Sequence, residues 1–371
     1  MQSNEARIEY LDALRTVACF AVVMLHVTAL NTYNVEFQSP EWNIFMFYES
    51  IVNWAVPVFV MISGAAMLSR EYSYKRIQTK VLRLVCLFFL WSALYLLFDI
   101  AVYGVSSYAE NSLWLQVLLQ GHYHMWYLIM LAGLYLVIPI LKAIIYKPQI
   151  QKAFIFLSIM LTFFVPSVLD LLQESKAREL LRYPVFGAIC RAFINVHNDL
   201  HYHLSIGFTA YSVIGYVLVH RFDKQAYHGL PIGCFCALGG AAITFLEIMI
   251  ANSKEAAGSF MQYYQVGILL QSVGVVLIMK MLTGKAIIHY LARMSPLCLG
   301  IYFVHPMIIE TLQKIGISSV SFNPVIFIPF FSLVVFFAAA IISYMLIKTP
   351  LKMMIAISGG KNKWERTKNK D

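Results

Sequence analysis

Arg15 and His26 stand eleven residues apart inside the first long apolar segment of the chain, residues 10–30. On a helix that is about three turns, so both side chains leave nearly one face, roughly 16 Å apart along the axis. Asp12 falls on the same face, one turn before Arg15. Polar groups in such a segment are costly and usually face the protein interior or a water-filled path. The stripe therefore offers a carboxylate, a fixed cation that can hold an anion, and an imidazole that can act as a base near neutral pH. Asp12 can pair with Arg15 at i,i+3 but is too far along the helix to touch His26. A plainer alternative has Arg15 snorkelling to the interface and His26 hydrogen-bonded in the core. Spacing alone leaves both open.

Further constellations follow along the chain. In Val56-Pro57-Val58-Phe59-Val60-Met61-Ile62-Ser63-Gly64, proline frees a backbone carbonyl and Ser63-Gly64 permits close helix contact. This reads as a kinked packing helix more readily than as a catalytic serine, with Ser63 kept as a substrate contact. The basic run Lys75, Arg76, Lys80 and Arg83 suits either positive-inside anchoring or phosphate binding. His122-Tyr123-His124-Met125-Trp126-Tyr127 opens the fourth apolar segment. Tyr and Trp there can form an interfacial belt, while the histidines suit sugar hydroxyls and Trp126 can stack on a sugar face. In Ser295-Pro296-Leu297-Cys298-Leu299-Gly300-Ile301-Tyr302-Phe303-Val304-His305-Pro306, His305 lies near mid-span on one face with Tyr302. A second buried histidine in one bundle favours a shared cavity. His197, His201 and His203 lack the spacing and acidic company of a metal site, so no metal is expected. The six cysteines, including the pair Cys234 and Cys236, read as structural thiols.

The elements that must position these groups are apolar helices. Of 371 residues, 60% are hydrophobic and 13% charged, with mean hydropathy +0.69. Soluble domains hold about 45–50% apolar and about 25% charged residues. The chain reads as an all-α, polytopic transmembrane bundle of about ten spans: 10–30, 44–68, 81–103, 125–146, 152–170, 203–220, 230–250, 263–282, 295–313 and 324–347. The net charge of +9 sits in short loops between spans, which argues against nucleic-acid binding. Lys and Arg concentrate in the even-numbered loops and the tail, which places both termini in the cytoplasm. The fifth loop breaks the pattern with Lys176, Arg178, Arg182 and Arg191 and is read as a cover for an outward site. No cleavable signal is expected, nor any internal repeat. Residues 1–350 read as one transmembrane domain and 351–371 as a basic cytoplasmic tail.

Four of these motifs, in order, resemble the acyltransferase-3 family of integral membrane O-acyltransferases. Leu11-Asp12-Ala13-Leu14-Arg15 followed by His26 resembles the family's opening R-x10-H. Val56–Gly64 is similar to its P-x-F-F-x-I-S-G segment, with Val-Phe-Val in place of two consecutive phenylalanines. His124-x-Trp126 matches its H-x-W, and Ser295 to His305 its late S-x-G-I-Y-x-x-H. The resemblance spans nearly the whole chain. It implies transfer of an acetyl or similar short acyl group from cytoplasmic acyl-CoA, a co-substrate with no tightly bound cofactor. The acceptor would be a hydroxyl of an exported or lipid-linked glycan at a bacterial inner membrane. It also implies that His26 is catalytic and Arg15 helps to hold the donor. The C-terminal hydrolase-like domain of some members is not seen, so direct transfer within the membrane domain is expected.

The site expected from this combination has His26, His305 and Asp12 as catalytic candidates. Arg15, Arg76, Lys80 and Arg83 would hold the CoA phosphates. His124, Trp126, Tyr302 and Ser63 would contact substrate, with His305 or Tyr302 polarising the thioester or the acceptor. Two other readings compete: a transporter or flippase for a lipid-linked sugar, and a non-catalytic subunit of an exopolysaccharide assembly machine. Transporters often carry repeats and matching broken helices, which the sequence does not show. Membrane lipids are partners on every reading, and oligomeric state stays open.

Overall fold

The computed structural model describes residues 8–104, 113–183, 185–190, 192, 202–222 and 229–355, and for 113, 176–178 and 202–206 the backbone alone. The three histidines His197, His201 and His203, most of the basic tail, and Arg191 of the fifth loop lie outside the described side chains.

Helices dominate, and the described residues contain a single isolated β-bridge, Ser175 with Ala251. The membrane-length elements are α1 (Glu9–Thr32), α2 (Pro40–Val52) with α3 (Ala55–Leu68), α4 (Tyr74–Tyr103), α5 (Trp126–Tyr146) and a composite span, α6 (Pro148–Glu174). They continue as α7 (Tyr202–His220), α8 (Gly229–Met249), α9 (Val266–Met281), α10 (Ala286–Met294) running into α11 (Cys298–Lys314), and α12 (Pro324–Lys348). Among the described residues eight spans are long and apolar enough to cross a bilayer, and Gly207–His220 and Val266–Met281 are shorter apolar helices beside them. In hydrocarbon every backbone N–H and C=O must be satisfied within its own segment, which is why the sequence resolves into helices.

Three spans are interrupted. The second breaks at Asn53 and Trp54, upstream of the proline expected to kink it. Pro57 sits in the first turn of α3, where backbone N–H groups have no intrahelical partner and proline costs little. Asn53 holds the break by donating from Nδ2 to the Met261 carbonyl at 2.7 Å. The span 148–174 carries one π-helical stretch, Ile159–Phe164. A 3-10 turn at Ser295–Leu297, with Pro296 inside it, joins α10 to α11.

Small residues bring the helices together. A methyl group on Gly64 would collide with the Ser212 backbone, and one on Gly215 with that of Met61, so α3 and α7 cross at backbone contact. Gly240, Gly267 and Gly274 do the same for α8 and α9.

Polar contacts gather the basic loop ends at one end of the bundle. His289 Nδ1 meets Glu9 at 2.7 Å and Lys142 Nζ meets Glu71 at 2.8 Å. Lys280 Nζ donates to the carbonyls of Leu218, Val219 and Phe222, closing the C-terminus of α7. Arg221 reaches the Ile145 carbonyl at 2.7 Å. These residues come from the N-termini of α1 and α10 and the C-termini of α5, α7 and α9, as alternation of span direction requires.

Candidate active site

The bundle encloses a cavity of about 450 Å³ walled by α1, α3, α4, α5 and the α10–α11 segment. Volumes of this order take small molecules or part of a larger one. Arg15, Cys19, Val22 and His26 line it from successive turns of α1, which is the stripe read from the sequence. Ser63 enters from α3, Lys80 from α4, Trp126 and Tyr127 from α5, and Tyr302 and His305 from α11.

One end of the cavity is cationic. Arg15 Nη1 lies 2.7 Å from Asp12 Oδ1 and donates to Ser295 Oγ at 3.2 Å. Ser295 Oγ in turn donates to Asp12 Oδ1 at 3.1 Å. Asp12 thus anchors the guanidinium to the 3-10 turn and does not reach His26, as helix spacing requires. Of the three catalytic candidates, His26 and His305 line the cavity and Asp12 does not. Arg70 joins Arg15 and Lys80 on the wall. Arg76 is exposed and Arg83 half-buried, and neither lines the cavity, although both lie within electrostatic range of Lys80. The phosphate-holding set expected from the sequence therefore splits: Arg15 and Lys80 face the cavity with Arg70, while Arg76 and Arg83 stand outside it.

The other end is imidazole-rich. His26 Nδ1 lies 2.8 Å from His305 Nε2, and His305 Nδ1 lies 2.8 Å from the Ile301 carbonyl. A carbonyl only accepts, so His305 carries its proton on Nδ1. A neutral His305 then accepts at Nε2, His26 donates from Nδ1, and His26 is left with Nε2 unprotonated. The two rings stack with centroids 5.0 Å apart. The chain from Ile301 fixes both tautomers and leaves a lone pair on a cavity-lining imidazole. In this arrangement both ring nitrogens of His305 are engaged, Nδ1 with the Ile301 carbonyl and Nε2 with His26. The Tyr302 hydroxyl donates to the His124 carbonyl at 2.8 Å, so its proton is committed to backbone. His305 and Tyr302, the pair expected to polarise the thioester or the acceptor, both line the cavity.

His124 sits beside this pair, its ring centroid 6.4 Å from His26 and 5.8 Å from His305. Trp126 stacks toward Tyr263 at 5.9 Å and against Phe208 at 5.8 Å, leaving part of the indole on the cavity wall. Behind His124 lies a group absent from the expected site: Asp99, His122 and Glu310, whose ligand-type atoms fall within 4.8 Å of one another. Asp99 and Glu310 are lone carboxylates in the apolar segments 81–103 and 295–313, a signal of a functional path that was present in the sequence. All six cysteines are free thiols, and Cys19 and Cys298 line the cavity between Arg15 and His26. Cys19 Sγ donates to the Cys298 carbonyl at 3.7 Å.

Comparison with known proteins gives one match. A family described as an acyltransferase domain matches residues 8–344, from the start of α1 into α12. Neither the curated proteins nor the solved structures contain a match.

Proposed function

Because the chain belongs to the acyltransferase-3 family and is thereby a membrane acyltransferase, we propose that it moves an acetyl or similar short acyl group from acyl-CoA to a hydroxyl of a cell-surface or lipid-linked glycan. The observation that carries this reading is the hydrogen-bonded chain from the Ile301 carbonyl through His305 to His26, which leaves His26 Nε2 as the acceptor, in the same cavity as Arg15 and Lys80. A donor with phosphates at one end and a thioester at the other matches a cavity with cations at one end and a base at the other. Arg15, Arg70 and Lys80 hold the phosphates at the cytoplasmic mouth, and the pantetheine arm runs past Cys19 and Cys298 toward His26.

In the transfer step His26 Nε2 takes the proton of the acceptor hydroxyl as its oxygen attacks the thioester carbonyl carbon. The carbon–sulfur bond breaks, and the CoA thiolate receives the proton back from the imidazolium. While charged, His26 keeps its Nδ1–H on His305 Nε2, so the charge is hydrogen-bonded within the site. Trp126 and His124 receive the sugar, and Ser63 lies on the same wall. The bacterial inner membrane is the compartment in which such a donor and acceptor meet.

The test is reconstitution of the purified protein with radiolabelled acetyl-CoA, comparing wild type, Arg15→Ala and His26→Ala. Donor binding should weaken in Arg15→Ala, and turnover alone should vanish in His26→Ala, by about 10²–10⁴-fold. Full activity in His26→Ala refutes its role as base. Absence of binding and turnover with both acetyl-CoA and succinyl-CoA refutes the enzyme and favours transport of a lipid-linked sugar.

A further inference from the structure

The fixed cations and the histidines account for the α1 stripe but leave an aromatic pair on the cavity wall without a task. Tyr72 and Tyr135 both line the cavity. Tyr72 comes from the short connection between α3 and α4, and the residue before it, Glu71, holds Lys142 where the basic loop ends gather. Tyr135 lies eight residues along α5 from Tyr127, which on a helix is about 12 Å nearer that same end. The pair therefore stands at the Arg15 end of the cavity, away from His26 and His305.

The two rings touch, with centroids 6.2 Å apart and planes 78° from parallel. Lys80 Nζ sits over the Tyr135 ring, 5.3 Å from its centroid, a cation–π contact that holds the ammonium on the wall. Tyr135 is only 8% exposed, so it backs Lys80 and Tyr72. Tyr72 is half-buried and on the wall, where a ligand can reach it, and the exposed Arg70 marks the place where the cavity meets solvent.

Positive charge accumulates at the same end. Arg15, Arg70 and Lys80 are on the wall, and Arg70, Arg76 and Arg83 all act on Lys80 electrostatically. One phosphodiester is satisfied by a single bidentate arginine, whereas several cations within reach of one another match a polyanion. This separates two kinds of acyl donor that share one arm and one thioester. A carrier protein presents its phosphopantetheine through a single phosphodiester and no base. Coenzyme A adds a diphosphate, a ribose phosphate and adenine, and a base stacks on an aromatic ring whatever its sequence of hydrogen-bonding groups.

We propose that this end of the cavity is a nucleotide subsite, in which Tyr72 stacks on the adenine of the donor and Tyr135 is a positioning residue for Tyr72 and Lys80, so that acyl groups are taken from coenzyme A and not from a carrier protein. This rests on the acyl-transfer reading and specifies its donor.

The experiment uses full-length protein in lipid nanodiscs, with acetyl-CoA and acetyl-4′-phosphopantetheine as donor probes and adenosine 3′,5′-bisphosphate and inorganic pyrophosphate as competitors. Wild type should bind acetyl-CoA more than about tenfold more tightly than acetyl-phosphopantetheine, and adenosine bisphosphate should displace it at lower concentration than pyrophosphate does. Tyr72→Leu should lose about tenfold in affinity for acetyl-CoA and for adenosine bisphosphate, the size of one base–aromatic stack. Its affinity for acetyl-phosphopantetheine should stay that of wild type, which also reports that the variant is folded. Tyr72→Trp should retain nucleotide affinity, as should Tyr135→Phe, whereas Tyr135→Leu should weaken it. The proposal is overturned by equal affinity of wild type for the two donors, by pyrophosphate competing as well as the nucleotide, or by Tyr72→Leu weakening both donors alike. Each of those results leaves acyl transfer standing if thioester is consumed. Nucleotide binding with no thioester turnover of either donor strikes the acyl-transfer reading instead and leaves the nucleotide subsite.

Discussion

The proposed base, His26, is defined by what lies behind it. His26 was legible in the sequence through its spacing from Arg15, and so was the presence of a second histidine at position 305. The division of labour between them was not legible, because it depends on a backbone carbonyl, that of Ile301, four residues before His305 on the same helix. Only that contact decides which nitrogen of each ring carries the proton. It follows that His305→Phe, which keeps an aromatic ring at a fully buried position, removes the acceptor of the His26 Nδ1–H. Turnover should fall by about 10²-fold with donor affinity unchanged, measured as kcat and as acetyl-CoA binding on a variant that melts like wild type. Undiminished turnover would show that His26 needs no partner. Asp12 illustrates the opposite case: its pairing with Arg15 followed from i,i+3 spacing alone, whereas its contact with Ser295, 283 residues away, did not.

At the level of elements, the apolar segments gave most spans to within a few residues, because a bilayer imposes length and composition on each helix separately, but α4 starts at Tyr74 rather than 81 and the span ending at Lys314 starts at Ala286 rather than 295. Local interruptions were harder to read. Pro57 drew attention as a kink, yet the break falls at Asn53–Trp54, where the Asn53 side chain bonds to Met261 from another element. Close crossings were half legible: Ser63-Gly64 marked a small surface, but its partner, Ser212 in α7, is a matter of tertiary packing. That contact carries a prediction. Gly64→Ala would set a methyl group into the Ser212 backbone and should destabilise the protein by about 1–3 kcal/mol. Gly133→Ala, at a membrane-span glycine with nothing within 4 Å of an added methyl, serves as the control. Thermal unfolding in detergent reads both, and equal melting of the two variants would remove the crossing as a constraint.

For the molecule as a whole, composition fixed the class and charge placement ordered the ends, since the basic termini of α5, α7, α9 and α10 do meet at one end. Of the three cations taken from the basic run, the fold turns Lys80 onto the cavity wall and leaves Arg76 at the surface and Arg83 off the wall. A helix turns successive residues through about 100°. Membership of a basic run therefore says little about which side chains face a cavity until the neighbours of α4 are known.

The separation of Arg15 from His26 has an electrical consequence. About 16 Å of helix is roughly half of a 30 Å hydrocarbon core. If the donor's phosphates stay at Arg15, only an uncharged arm and acyl group advance to the imidazole. No net charge then crosses the membrane field during turnover, where each elementary charge moved would cost about 2.3 kcal/mol per 100 mV. In sealed proteoliposomes, acetyl transfer should keep one rate whether a potassium gradient with valinomycin sets the interior negative, positive or at zero. A voltage-dependent rate would mean that the phosphates travel with the acyl group. The acylation of an outward-facing glycan would in this way draw on thioester energy alone and leave the membrane potential undissipated.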